Sequence, residues 1–260
     1  MARVLAISSH VVRGHVGLAA TVPALQSLGH EVWALPTVIV ASRPGLGRMA
    51  RHEPPATGLA DMLAALDADG CWPSLDAVLT GYFASAEAVA AAAQAIRRLR
   101  AVNPQALVLV DPVLGDAGRL YVPPQVADAI RRELLPLATV ATPNLYELQW
   151  LTAMGVPDIA AVAQAAERLG PAVVVVTSAA EADESVTTLM VTGRERIERT
   201  ARTHAGMPNG AGDLFAGLLL GHLLMGRADA AALDTALADL ERVLAASTGR
   251  DVLQLSALNA

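Results

Sequence analysis

The sequence predicts an α/β protein, with a mostly parallel central sheet and helices on both faces. Three observations carry this expectation. Short β-branched runs alternate with longer Ala- and Leu-rich stretches along the chain, the order of strand–helix repeats that builds parallel sheets. Val173–Val176 is an unbroken apolar run, as suits a strand covered on both faces. Hydrophobic residues fill 53% of the 260 positions. That is enough for a large core, yet no run approaches the ~20 apolar residues of a membrane span.

The elements follow in order. The β-branched run Val4–Ser8 is the first expected strand, and the Ala/Leu-rich Gly17–Leu28 the first helix. Val32–Leu35 is the second strand. Thr37–Pro55 (TVIVASRPGLGRMARHEPP) then breaks the rhythm, being too rich in Arg, Gly and Pro for a core helix; it predicts a small strand pair or flap over a sheet edge. Helices over Gly58–Leu66 and Ser85–Ala101 flank a strand at Ala77–Thr80, and Leu107–Val110 is the fourth strand. A helix over Pro124–Leu134, a strand at Val140–Thr142, a helix over Ile159–Leu169 and a strand at Val173–Thr177 continue the series. Ser185–Thr200 offers VTTLMV and ERIERT on either side of Thr192-Gly193, a candidate antiparallel hairpin. Helices over Asp213–Met225 and Ala228–Ala246 follow. No internal repeat and no long linker interrupts the series, so one domain over residues 1–260 is expected.

Composition removes several functions. The net charge is −6 with no basic block, which argues against nucleic acid or an anionic membrane as partner. All 19 basic residues are arginine. Without lysine there is no P-loop of the GxxxxGK[ST] type and no Schiff base to a cofactor. Phosphate handling then falls to backbone amides, arginine or a metal ion. Cys71 is the only cysteine, which excludes an intramolecular disulfide and a cysteine metal cluster. The N-terminal MARVLAISSH lacks the apolar stretch and cleavage site of an export signal, so a cytoplasmic location is expected.

In open parallel sheets ligands collect beyond the carboxyl ends of the strands, and polar, acidic and glycine residues recur there. Ser9 and His10 follow the first strand, either as ligand contacts or as helix-entry residues. Gly14-His15-Val16-Gly17 is spaced GxxG rather than GxGxxG, and no acidic residue ends the second strand; both features argue against a dinucleotide. Asp111, Asp116 and Glu147 follow adjacent strands, positioned either to meet around a Mg²⁺ with its waters or to form a solvated rim. Thr177 and Ser178 either contact a nucleotide or simply end a strand. His204 and His222 lack partners at metal-ligand spacing and read as structural.

The stretch Gly210-Ala211-Gly212-Asp213 stands before an apolar helix. Amides of 210–212 at a helix N-terminus would offer an anion both unpaired donors and the positive end of the helix dipole. Glycines there let a ligand approach the backbone. Asp213 serves either as N-cap or as a base for a hydroxyl that attacks a phosphoryl group. With the acidic loops and the missing P-loop, this favours a kinase with an amide anion hole.

GAGD before an apolar helix, DPVLGD (111–116) and TPNLYE (142–147) together resemble the ribokinase-like superfamily, a three-layer fold with a small flap or lid. Within it the chain is most similar to the pyridoxal kinases of vitamin B6 salvage. SSHVVRGHVG (8–17) resembles their SHVVxGHxGN signature, VWALPTV (32–38) their second-strand end and LDAVLTGY (75–82) their third. Order and spacing agree from about Val4 to Leu224. The resemblance implies ATP- and Mg²⁺-dependent phosphorylation of the 5′-hydroxymethyl group of pyridoxal, and of pyridoxine and pyridoxamine in many members. It leaves a monovalent cation requirement open. Asp213 falls on the catalytic base and Gly210, Ala211 and Gly212 on the anion hole for the γ-phosphate. Asp111, Asp116, Asn144 and Glu147 fall on nucleotide and metal positions, with Asp111, Asp116 and Glu147 reaching Mg²⁺ through water. Thr177 and Ser178 fall on ATP-phosphate or lid contacts; Ser9, Thr37 and Tyr82 match residues that hold the pyridine ring. A homodimer is implied too. The chain departs from the pattern at Leu18, at Ser42-Arg43 (where an Asn-His pair is frequent) and at Ala211. Most of these lie around the acceptor pocket, so two alternatives stay open: a hydroxymethylpyrimidine (phosphate) kinase, and a non-catalytic vitamer-binding protein of the same fold.

Overall fold

The computed structural model describes residues 1–46, 48, 50–204 and 206–259. In chain order the strands are β1 (Arg3–Arg13), β2 (Glu31–Ser42), β3 (Arg51–His52), β4 (Ala77–Thr80), β5 (Leu107–Val110), β6 (Gly115–Asp116), β7 (Arg119–Leu120), β8 (Val140–Ala141), β9 (Val173–Ala182), β10 (Ser185–Thr192) and β11 (Arg196–Arg202). The helices are α1 (Leu18–Ser27), α2 (Ala56–Ala68), α3 (Ala86–Val102), α4 (Pro124–Ala129), α5 (Leu145–Thr152), α6 (Ile159–Leu169), α7 (Ala211–Leu224) and α8 (Asp229–Ser247). Among the described residues no helix is long and apolar enough to cross a membrane.

Nine strands form one sheet in the order β11-β10-β9-β8-β5-β4-β1-β2-β3. The six from β9 to β2 run parallel; the expected β10–β11 hairpin is antiparallel and closes one edge. At the other edge β2 pairs with the short antiparallel β3, Ile39 opposite His52 and Val40 opposite Arg51. The polar segment after Thr37 is therefore a strand pair at the sheet edge, as its composition suggests; Gly47 and Met49 lie outside the described residues.

Alternating side chains divide the core. Val78, Val108 and Val110 face α2, α3 and α4, while Leu79, Leu109 and Val175 face α1, α7 and α8. α5 and α6 cover the β9–β10 end of the first face through Leu148, Val162 and Ala166. Helices thus lie on both faces of a buried parallel sheet, the three-layer arrangement expected. α1 and α7 approach closely because Gly217 and Gly221 leave room for Thr21, Ala24 and Leu28.

Four boundaries differ most from the sequence expectation. β1 continues to Arg13, β2 to Ser42 and β9 to Ala182, because these strands run on past the sheet body as part-exposed arms that their pairing, more than burial, defines. The helix expected over Pro124–Leu134 is α-helical only to Ala129 and widens into a π turn over Ile130–Leu134. The eight-residue α5 was not anticipated.

Candidate active site

The six parallel strands run the same way, so their carboxyl ends share one side of the sheet; there the loop after β1 meets the N-terminus of α7, the His15 carbonyl lying against Gly210. On β1, Ser9 falls at a shift of register: Ser8 pairs with Pro36 and His10 with Ile39. One residue of β1 thus faces two of β2, Thr37 and Val38, which sets Ser9 beside Thr37. The Thr37 hydroxyl donates to the carbonyl oxygen of Tyr82 at 2.7 Å, and the Tyr82 amide donates to the hydroxyl of Ser8 at 3.0 Å. Tyr82, just past β4, is so gripped from the adjacent β1 and from β2 beyond it. Its backbone holds the proton of Thr37, which leaves Thr37 an acceptor for any ligand. Ser8, buried under Tyr82, was missed in the sequence, where Ser9 and His10 drew attention instead.

The acidic loops are stapled together by Glu147. Asn144 and Glu147 form a capping box: the Glu147 amide donates to Asn144 Oδ1 at 2.9 Å and the Asn144 amide to Glu147 Oε2 at 2.8 Å. Glu147 Oε1 accepts from the amides of Leu114 at 2.9 Å and Gly115 at 3.4 Å, while Asn144 Nδ2 donates to the Gly115 carbonyl at 2.8 Å. Burial pushes the Glu147 carboxyl up to about 7 against the pull of these amides, and the charge of Asp116 adds to the rise. Asp111 is buried at the end of β5 and accepts from the Thr142 hydroxyl at 3.1 Å. Burial, then the charges of Glu147 and Asp213, hold its carboxyl well above the usual range. The structure therefore brings Asp111, Glu147 and Asp213 into one electrostatic neighbourhood. Asp116 stands apart on the exposed β6–β7 hairpin, where its Oδ1 accepts from the Ala117 amide at 2.7 Å. Thr142, a partner of Asp111, was also missed; a threonine ending the adjacent strand is the only signal it left.

Asn144 and Thr177 form an isolated parallel bridge, and the Thr177 amide donates to the Pro143 carbonyl at 3.0 Å. Ser178 has φ 49°, a left-handed conformation that costs a non-glycine residue about 1 kcal/mol or more. It lies where the β9–β10 register shifts between Thr187 and Leu189, so the strain turns the chain at the rim of the site.

At α7, the helix cap is Gly210, with φ 113° and no side-chain cap. Asp213 is not the N-cap; it lies in the first turn. Its carboxylate accepts from the amide of Gly17 and from its own amide, and burial lifts it to about 6 despite both. Among the described residues no protein acceptor meets the amides of Ala211 and Gly212, and a Cβ on Gly212 would meet nothing within 4 Å. These donors sit at the positive end of the α7 dipole.

No arginine or histidine pairs with Asp111, Glu147 or Asp213 among the described residues. Three neighbouring carboxyls with raised affinity for protons and no cationic side chain suit a divalent cation. No group of three His, Cys, Asp or Glu among the described residues is spaced for direct ligation. The two histidines read as structural have carboxylate partners, Glu241 for His204 and Asp239 for His222, each at 2.8 Å.

Residues 13–252 match the family model described as Phosphomethylpyrimidine kinase. A pyridoxal kinase PdxY from Rubrobacter xylanophilus is 39% identical over 86% of this chain and 80% of its own length. A pyridoxine/pyridoxal/pyridoxamine kinase from Bordetella avium is 38% identical over 94% of this chain and 81% of its own. Pyridoxal kinase from Leishmania donovani, solved in complex with ADP and pyridoxamine, superposes with a TM-score of 0.91 at 28% identity, covering 98% of this chain and 94% of that one. With a family model matching residues 13–252, relatives 38–39% identical over most of the chain and a pyridoxal kinase fold superposing along its length, the chain belongs to the phosphomethylpyrimidine kinase family, among its pyridoxal kinases.

Proposed function

We propose that this protein transfers the γ-phosphoryl group of ATP to the 5′-hydroxymethyl group of pyridoxal and related B6 vitamers. The observation that carries the reading is the turn Gly210–Asp213, where a carboxyl lifted to about 6 stands beside two amides that meet no protein acceptor among the described residues. Asp213 accepts the proton of the substrate hydroxyl, and a carboxyl lifted to about 6 is mostly ionised at neutral pH yet more basic than an ordinary aspartate. The amides of Ala211 and Gly212 receive the phosphoryl oxygens as negative charge gathers on them. Ser9, Thr37 and Tyr82 hold the pyridine ring, while Asn144, Thr177 and Ser178 line the nucleotide side. Asp111 and Glu147 would hold Mg²⁺ through its waters, with Asp116 reaching in from the rim; bound there, the ion neutralises phosphate charge. One kinase domain over residues 1–260, assembled as a homodimer in the cytoplasm, belongs to the same reading and is supported by the family resemblance.

The second reading, a hydroxymethylpyrimidine (phosphate) kinase, is favoured by the description of the matching family model and by the changed residues after Thr37. Measuring ADP formation with pyridoxal and with hydroxymethylpyrimidine, with and without Mg²⁺, separates the two. Turnover of the pyrimidine alone overturns the first reading. Pyridoxal binding without ADP formation overturns both.

A further inference from the structure

Four segments distant in sequence meet around Gly210, and one side chain ties them. Arg43, where the β2 arm turns away, lays its stem over Gly14: a Cβ at Gly14 would sit 3.0 Å from Arg43 Cγ. Its backbone amide donates to the carbonyl of Arg13 at 3.0 Å. Its guanidinium reaches the chain's last segment, donating from Nε to the carbonyl oxygen of Asp251 at 3.0 Å and again from Nη2; Nη1 donates to Pro44 O at 3.0 Å. The Asp251 segment is itself anchored, because the Gln254 amide donates to the fully buried hydroxyl of Ser247 at 2.9 Å. Two residues on from Asp251, the buried Leu253 packs on Gly210, with Cδ1 3.3 Å from where a Cβ would stand. The carbonyl oxygen of His15, next to Gly14, faces the same position on Gly210, 1.8 Å from where that Cβ would stand. The contacts close a ring: Arg43 to Asp251, Leu253 to Gly210, Gly210 to His15, and Gly14 back to Arg43.

We infer that Arg43 is a positioning residue for phosphoryl transfer, whose forked hold on the Asp251 carbonyl clamps the Gly14 loop and the Asp251–Leu253 segment around the amide turn that begins at Gly210. The planar fork holds its donors to the Asp251 and Pro44 carbonyls in a fixed geometry that a compact ammonium on a flexible stem does not reproduce. The same loop supplies the Gly17 amide that binds Asp213, so loosening the ring shifts both the base and the donors. Reactions governed by such placement lose rate when the parts move by about an ångström. The inference rests on the kinase reading of the site, and one measurement in its test does not.

The test compares wild type, Arg43→Ala and Arg43→Lys. Amide hydrogen exchange is measured without ligands, and steady-state kinetics with pyridoxal and MgATP. Exchange is expected to quicken at residues 13–17 and 249–254 in both variants. kcat is expected to fall at least tenfold in Arg43→Ala and severalfold in Arg43→Lys, with the KM for ATP within twofold. Millimolar methylguanidinium, but not methylammonium, should restore part of the Arg43→Ala rate, a response that a merely structural loss would not give. Unchanged exchange at those segments overturns the clamp, as does wild-type kcat in Arg43→Ala. A wild type that exchanges as described but leaves pyridoxal unphosphorylated sinks the kinase reading and leaves the clamp to be judged by exchange alone.

Discussion

Replacing Gly210 by alanine tests whether the α7 turn is built for its ligand. Two features of the structure oppose any side chain there. The backbone has φ 113°, which costs an L-residue about 1–2 kcal/mol. A Cβ would also stand 1.8 Å from the carbonyl oxygen of His15. Reaching even 3.0 Å, the tightest separation real Cβ atoms show, needs a retreat of roughly 1.2 Å by the His15 loop or by the turn. Misplacement of about 1 Å in a catalytic arrangement costs on the order of 100-fold in rate. The expected result for Gly210→Ala is therefore a ~100-fold loss in kcat for pyridoxal by coupled ADP release. Its Tm should fall by several degrees, at about 2–4 °C per kcal/mol for a chain near this size. Gly212→Ala is the control for stability: nothing lies within 4 Å of its Cβ, so its Tm should hold or rise, as alanine is the better helix former. A Gly210→Ala enzyme within threefold of wild-type kcat would refute the reasoning, since the turn would then tolerate a shift of this size.

Asp213→Asn should lower kcat by about 10²–10⁴, the range for a lost general base, while ADP affinity by calorimetry stays within a few fold; near wild-type turnover would remove Asp213 from that role. Because Asp213 is lifted to about 6, wild-type kcat/KM should fall tenfold per pH unit below that value; a profile flat down to pH 5 would contradict this. The same shift stabilises the fold below the unfolded value of 3.8 and is lost as pH rises through about 6, a swing of up to about 3 kcal/mol. Thermal melts without nucleotide or metal should thus give Asp213→Asn a higher Tm than wild type at pH 8 and a shrinking advantage toward pH 4, and a gap independent of pH would count against the raised affinity. Glu147→Gln keeps one acceptor and loses the other, so it should cost about 1–2 kcal/mol of stability and raise the Mg²⁺ concentration at half-maximal activity; an unchanged Mg²⁺ titration would leave Glu147 with its stapling task alone.

Strands buried on both faces were legible because their apolar runs have no competing interpretation: Ala77–Thr80 and Leu107–Val110 match the structure at both ends. The arms Ser9–Arg13 and Pro36–Ser42 were not, since their side chains are partly wet and only pairing marks them as strand. α5 escaped because eight residues hold too few apolar positions to show a period. Its signal was the Asn-x-x-Glu spacing of a capping box, which was taken for part of a ligand loop alone. Candidate site residues stood out where a polar group interrupts an apolar strand end, as at Asp111 and Thr37. Side chains that act through backbone partners, such as Ser8 and Thr142, carry no such contrast. The Arg43–Asp251 contact spans 208 positions, and no local pattern announces a bond between a side chain and a distant carbonyl.

The close seat of α1 on α7 bears on how the chain is made. Leu25 and Ala24 of α1 are fully buried, yet their cover comes from α7 and its neighbours. About 200 residues separate the ends of the two helices, which at ribosomal speeds of 5–20 residues per second is a wait of roughly 10–40 s. During that interval β1 and α1 exist without their roof, and a greasy stripe faces the cell. The exposure ends when α7 settles on α1, a fit that Gly217 and Gly221 allow by leaving room for Thr21, Ala24 and Leu28. The catalytic turn rides at the head of that same helix, so the newborn chain gains its shelter and its chemistry in a single docking event.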